Sequence, residues 1–216
     1  MKAEGRNFPL AKEGMIFILP LGVISLILWI FGLPLPAGFC TLLTLFITYF
    51  FRDPERGIPP GDKAILSPAD GKVVQVQPCV EESLFRGPAI KVSVFMSLFN
   101  VHVNRNPLSG RIVDSSYSPG EFLRADLARA SDVNEQNALL VETAEGTRVM
   151  VVQVAGVIAR RIVCWVKKGD SVIRGQRFGL IQFGSRLDVY LPRDTQLQVR
   201  VGQKTLAGQT ILGYLP

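Results

Sequence analysis

From Met15 to Phe51 the chain carries no charged residue, and this run, "MIFILPLGVISLILWIFGLPLPAGFCTLLTLFITYFF", constrains the fold more than anything that follows it. So long an apolar stretch is foreign to a soluble domain and marks a membrane segment. A secretory leader has an apolar region of only about 7 to 15 residues before a small-residue cleavage site, whereas this run ends in the aromatics of "ITYFFRDPER". Two prolines and two glycines in "GLPLPAG" (Gly32 to Gly38) break it, which predicts one helix over Met15–Phe31 and another over Phe39–Phe51. At about 1.5 Å per residue the first barely crosses a hydrocarbon core of roughly 30 Å, and the second falls short. A tight or re-entrant hairpin over 15–51 is therefore expected. Lys2, Arg6 and Lys12 precede it and Arg52, Arg56 and Lys63 follow it. That positive-inside pattern puts both flanks, including the 1–14 segment, on the cytoplasmic side of the cell (inner) membrane, although acidic neighbours in both flanks dilute the bias.

A Pro/Gly linker, "RDPERGIPPGDK" (52–63), leads into a region (64–216) that reads mainly as β. Short apolar runs bounded by Gly, Pro, Asp and Asn are expected as strands: "KVVQVQP", "AIKVSVFMS", "GRIVDSSYS", "ALLVETA", "TRVMVVQVAGVIA", "RIVCWV", "GLIQF" and "LDVYL". A single minor helix is predicted over "EFLRADLARAS". The segments "VKKGDSVIRGQ" (Val166 to Gln176) and "VRVGQKTLAGQ" (Val199 to Gln209) echo one another in their Val, Gly and Gly-Gln positions. Turn glycines so spaced between short strands resemble the compact sandwiched barrel of biotinyl and lipoyl carrier domains, a likeness of fold alone. Lys72 follows a turn glycine but lacks the Met-Lys-Met surroundings of a carrier lysine.

The net charge of +6 and pI near 9.5 raise nucleic acid as a partner. Yet the basic residues are scattered, adjacent only at Arg160-Arg161 and Lys167-Lys168, without the stripe that nucleic acid needs. Acidic lipid headgroups suit that charge better. Cys40, Cys79 and Cys164 show neither a metal-ligand spacing nor a disulfide framework, so no metal is expected.

In "IQFGSRLDVYLP" (Ile181 to Pro192) Gly184 and Ser185 interrupt an apolar strand pattern, the signature of a bulge or a close backbone approach. The only histidine, His102, ends an apolar run in "MSLFNVHVNRNP", and Asp70 stands at a turn in "LSPADGK". Each has an ordinary explanation in turn or core chemistry. Together, a serine, an imidazole and a carboxylate are the set that activates a hydroxyl. The Gly-x-Ser-x-Gly elbow common in serine hydrolases is absent, which points to the chain's own backbone as electrophile. The residues alone leave three readings open: a self-processing enzyme, a membrane-anchored serine hydrolase and a noncatalytic β module.

"FRDPER", "SPADG", "FMSLFNVHVNR", "YSPGEF", "NEQN" and "KKGDSVIRGQRFGLIQFGSRLDVYLP" occur in order between Phe51 and Pro192, within a likeness that covers Phe50 to Pro216. In these motifs the chain resembles the short form of phosphatidylserine decarboxylase, a pyruvoyl-dependent enzyme made as a self-cleaving proenzyme. The resemblance implies cleavage between Gly184 and Ser185 into a large β chain (1–184) and a small α chain (185–216) that stay associated. Ser185 is then both nucleophile and precursor of the pyruvoyl cofactor, His102 the base and Asp70 its orienting partner. It also implies a phosphatidylserine substrate met at a phospholipid membrane; "SPGEFLRA" (Ser118 to Ala125) is then a candidate substrate loop through Gly120, Phe122 and Leu123, with an ordinary loop and helix cap equally open on turn chemistry. Two departures stand out. The cleavage motif is Phe183-Gly184-Ser185-Arg186 where larger members have Leu-Gly-Ser-Thr, and Phe99 occupies the position of their second histidine. The short subgroup includes archaetidylserine decarboxylases, so the lipid tails are open, as is assembly into a homo-oligomer.

Overall fold

The computed structural model describes residues 9–125, 130–157, 161–182 and 184–216, apart from the side chain of Asp132. It divides into two compact units, Met1–Glu55 and Arg56–Pro216.

In the first unit a short 3₁₀ turn, Lys12–Gly14, leads into α1 (Met15–Ile30), and α2 (Pro34–Phe50) returns antiparallel to it. The link is shorter than the sequence suggests, because α2 begins at Pro34 rather than Phe39. Proline is at home in a first helical turn, where its missing N–H has no partner to lose. Gly32 alone makes the reversal, with φ +67°. Across the hairpin Ser25 Oγ lies 2.7 Å from Thr41 Oγ1, and Trp29 Nε1 donates to the same oxygen at 3.2 Å. The ends are closed by Ala11 N–H on Phe51 O (2.8 Å) and Asp53 N–H on Pro9 O (2.7 Å). Apolar side chains such as Ile16, Leu26, Ile30, Leu35, Phe39 and Leu42 face outward. Lys12–Ile30 is long and apolar enough to cross a membrane by length and composition, whereas Pro34–Phe50 is shorter.

The second unit is mainly β. Its strands are β1 (Ala64–Leu66), β2 (Gly71–Glu81), β3 (Gly87–Met96), β4 (Val103–Arg105), β5 (Gly110–Ser118), β6 (Gln136–Glu142), β7 (Arg148–Ala155), β8 (Ile162–Cys164), β9 (Ser171–Val172), β10 (Arg177–Ile181), β11 (Ser185–Pro192), β12 (Gln196–Leu197), β13 (Lys204–Thr205) and β14 (Ile211–Tyr214). Eight of them form an antiparallel sheet in the order β13-β2-β3-β11-β7-β6-β5-β9, curled as a half-barrel; β4-β10-β8 and β1-β14-β12 form smaller sheets. The large sheet alternates in the usual way. One face carries Val92, Val94, Met96, Val151, Leu187 and Val189 into the main core, while the other carries Met150, Val152 and Val154 into a smaller cluster. The two echoing segments are equivalent in space. β9 and β13 lie at the same offset within them and close opposite edges of the sheet, and Gly169, Gly175, Gly202 and Gly208 all have positive φ.

The helix expected over 121–131 is displaced. The described helical turn, α3, covers Ala130–Val133, and residues 126–129 lie outside the described residues. Glu121 N–H donates to Val133 O, and both backbone groups of Leu123 bond the side chain of Asn134. A Glu121–Asn134 bridge and these contacts hold residues 121–124 in a loop conformation.

Candidate active site

Sheet register gathers the sequence-selected residues at one rim. Ser185, the first residue of β11, stands opposite Met96 at the end of β3 and opposite Ala155 at the end of β7; Lys72, near the start of β2, pairs with Phe95. Asp70 immediately precedes β2 at the same rim. The chain leaving β3 reaches β4 through His102, and the chain leaving β10 reaches β11 through Gly184. Because β4 and β10 are paired neighbours, these two connections meet.

Gly184 N–H donates to His102 Nε2 at 3.4 Å, and His102 Nδ1 lies 3.0 Å from Asn100 O. A carbonyl can only accept and a backbone N–H can only donate. The two contacts thus define the neutral tautomer, with the proton on Nδ1 and the lone pair of Nε2 turned toward the Gly184 peptide. Asn100 is itself fixed: its Oδ1 accepts from Ser97 N–H (2.8 Å) and Ser97 Oγ (2.7 Å). His102 is 2 % exposed and Ser185 fully buried. The Ser185 hydroxyl donates to Met96 Sδ at 3.4 Å, a weak acceptor that leaves it little tied.

Asp70, expected as the orienting partner of His102, is itself firmly held. Arg56 donates to both carboxylate oxygens (Nη1 to Oδ1, 2.5 Å; Nη2 to Oδ2, 2.8 Å), and Ala207 N–H donates to Oδ1 at 2.7 Å. This bidentate pair, with Arg56 also reaching Ala207 O, binds the first residue of the second unit to the turn before β2. A chain of amides, half-buried at Asn137 and buried at Gln153 and Asn104, runs from the sheet to Met96. Asn137 donates to Gln153, Gln153 to Asn104, and Asn104 to Met96 Sδ at 3.8 Å.

Backbone conformation singles out the Gly184–Ser185 bond. Gly184 has φ +72°, a left-handed value that costs an L-residue roughly 1–2 kcal/mol. Its carbonyl oxygen rests against Gly156, where an added Cβ would come within 2.4 Å of it. Gly156 escaped the sequence reading, although a glycine inside the strand pattern "VVQVAGV" is the signal for such an approach. Gly156→Ala is accordingly expected to turn the Gly184 carbonyl and slow any reaction there by about 10²-fold, the usual cost of a displacement near 1 Å. Timed mass spectra at unchanged circular dichroism would check this.

The Ser118–Ala125 loop adjoins the same place. Gly120 packs on the backbone of Val133 and Asn134, and Asn134 Nδ2 reaches both Leu123 O (2.8 Å) and Ala155 O (2.7 Å). Phe122, Phe99 and Val157 are exposed. Phe183 lies outside the described residues. Among the described residues no three His, Cys, Asp or Glu side chains gather as a metal set. Burial pushes the Cys164 thiol above its usual range, which keeps it protonated and unreactive at neutral pH.

A family model described as phosphatidylserine decarboxylase matches residues 43–213. The phosphatidylserine decarboxylase proenzyme of Geotalea uraniireducens (strain Rf4) is 51 % identical over 213 residues, covering 99 % of this chain and all of the relative. Proteins of the same description from Geobacter metallireducens and Geotalea daltonii are 51 % and 52 % identical, each covering 97 % of this chain and 98 % of their own length.

Proposed function

Because this chain belongs to the phosphatidylserine decarboxylase family, we propose that it converts phosphatidylserine to phosphatidylethanolamine and CO2 after cutting itself between Gly184 and Ser185. The enzyme is a carboxy-lyase. The observation that carries the self-cleavage is the conjunction at one bond of a left-handed Gly184, a buried Ser185 hydroxyl and the His102 Nε2 lone pair.

Ser185 turns its hydroxyl from Met96 toward His102, which takes the proton as Oγ adds to the Gly184 carbonyl carbon. The Gly184–Ser185 C–N bond breaks, the proton passes to the freed amine of residue 185, and an ester joins Gly184 to Oγ. Loss of the residue-185 Cα proton then expels Oγ with the Gly184 carboxylate, leaving dehydroalanine. Water replaces its nitrogen, which departs as ammonia, and a pyruvoyl group remains at the head of a chain running to Pro216. Gly156 gives the scissile carbonyl room, and Asn100 fixes the imidazole tautomer. Arg56 and Asp70 hold the turn at the rim, and Asp70 remains the proposed orienting partner of His102.

The site suits a group made from residue 185, since the side chain is enclosed and its backbone is paired to strands on both sides. When formed, the pyruvoyl carbonyl supplies the electron-accepting function that a free cofactor supplies elsewhere. The chain's own residues do the rest. Sheet pairing keeps residue 185 fixed, Asn134 holds the Gly120–Phe122 loop beside the site, and His102 delivers a proton to the carbon that loses CO2. The apolar hairpin holds the catalytic unit at the cytoplasmic face of the cell membrane, where a two-tailed substrate resides. That the relatives are phosphatidylserine decarboxylases favours phosphatidylserine over an archaetidyl lipid.

Phenylhydrazine separates this reading from that of a serine hydrolase. Treated wild-type protein is expected to lose CO2 release and to gain one hydrazone mass on the 185–216 fragment alone. Full activity with no added mass would overturn the proposal.

A further inference from the structure

Arg186 follows the bond proposed to break, and strand alternation sends its side chain to the sheet face opposite Ser185. There it is 1 % exposed and ties separate parts of the chain together. Nη1 donates to Ala125 O at 2.9 Å, Nη2 donates to Ser131 Oγ and, at 3.2 Å, to Asp188 Oδ2, and Nε lies 2.9 Å from Asp188 Oδ1. A hydroxyl has one proton and two lone pairs, and Ser131 uses all three. It donates to Asp188 Oδ2 (2.6 Å) and accepts from Arg186 and from Lys91 Nζ (2.6 Å). Lys91 Nζ also lies 3.1 Å from Asp188 Oδ2. Tyr190 completes the cluster under the Lys91 ammonium, 5.5 Å from the ring centroid. Burial first, then the charge of Asp188, pushes its phenol far above the usual value, so it stays neutral.

We infer that Arg186 is a positioning residue of the mature enzyme, fastening the chain end created at residue 185 to the Ser118–Ala125 loop and to the turn that bears Ser131. The inference rests on cleavage at Gly184–Ser185. Before cleavage, covalent continuity with β10 holds Ser185 from one side and β11 from the other. Afterwards residue 185 is a strand terminus, and termini open at little free-energy cost. A buried, multiply bonded guanidinium one residue inside the terminus opposes that opening. Since the same group holds Ala125 O, the chain end and the loop move as one body.

The guanidinium can be removed without dismantling the cluster, because Arg186→Met leaves Lys91 paired with Asp188 and Ser131. Full-length Arg186→Met, Arg186→Lys and the Ser185→Ala/Arg186→Met double variant would be compared with wild type and with Ser185→Ala. Readouts are intact mass, decarboxylation in mixed micelles, and hydrogen exchange of peptides over 119–125 and 185–190. Arg186→Met is expected to separate into two chains, to lose about 10²-fold in kcat and to exchange faster in both peptides. Arg186→Lys should recover part of the rate. In the uncut double variant, exchange of the 185–190 peptide should match that of Ser185→Ala alone. Wild-type kcat in cleaved Arg186→Met, a folded Arg186→Met that stays whole, or equal loosening of the 185–190 peptide in cut and uncut proteins would each overturn the inference. If wild type itself stays whole, the failure lies with the self-cleavage reading instead.

Discussion

Ser185→Ala is expected to remain one 23.8 kDa chain and to release no CO2, while wild-type protein separates into Met1–Gly184 and a fragment blocked at its amino terminus. The substitution removes one oxygen whose hydrogen bond goes to the weak acceptor Met96 Sδ. Packing, sheet register and the His102–Gly184 contact of the uncut chain stay as they are, so relative to the uncut wild-type precursor thermal stability should change by no more than about 1 kcal/mol, the worth of an ordinary hydrogen bond. Chemistry, by contrast, loses both its nucleophile and the atoms from which the reactive carbonyl is made. Intact mass with a parallel melting curve distinguishes these effects. A serine hydrolase acting on an external substrate would give a wild type as whole as the variant, and a noncatalytic module would not register the change.

Asp188→Asn is expected to have the largest effect on stability. Asp188 is 1 % exposed and serves as counter-ion to Lys91 and Arg186, both themselves buried. Neutralising it leaves those two cations facing each other across Ser131 in a medium that screens them poorly. Removing one partner of a buried pair commonly costs about 3–5 kcal/mol, a large fraction of the roughly 5–15 kcal/mol that holds a domain together. In a Ser185→Ala background, where the chain stays whole, urea denaturation should show a lowered midpoint with little change in slope. In the double variant Asp188→Asn/Arg186→Met only one cation remains, so part of the loss should return. Losses that simply add would mean the three charges do not interact.

The sequence makes the strands of the large sheet readable because each long one alternates or runs apolar between turn residues, and "GRIVDSSYS" coincides with β5. The hairpin is equally plain, since nothing charged interrupts it. What escaped notice depends on contacts between distant segments. Arg56 lies close to Asp70 in sequence, yet no periodicity marks the pairing. The Asn134 clamp is hidden inside "NEQN", and Gly156 was absorbed into an overlong strand. In "RLDVYLP", Arg186, Asp188 and Tyr190 recur at every second position of a central strand, a sign that one face buries charge. Their partner Lys91 lies across a register that only the folded sheet reveals. His102 and Gly184 could be brought together only through family resemblance, because their meeting depends on β4 pairing with β10.

The place of β11 in the sheet has a further consequence. The fragment that the proposed cleavage would release, beginning at residue 185, supplies β11, inserted between β3 and β7, together with edge strand β13 and the β12–β14 pair. Once cut, the two polypeptides are interleaved rather than docked, and neither can leave without dismantling the central sheet. Dissociation and unfolding become a single event, and the return journey becomes second order in protein. The uncut precursor can refold at any dilution, whereas the mature enzyme's apparent stability rises with its own concentration. Denaturation of the dilute mature form is accordingly irreversible in practice, so a self-inflicted cut exchanges the capacity to refold for the capacity to catalyse.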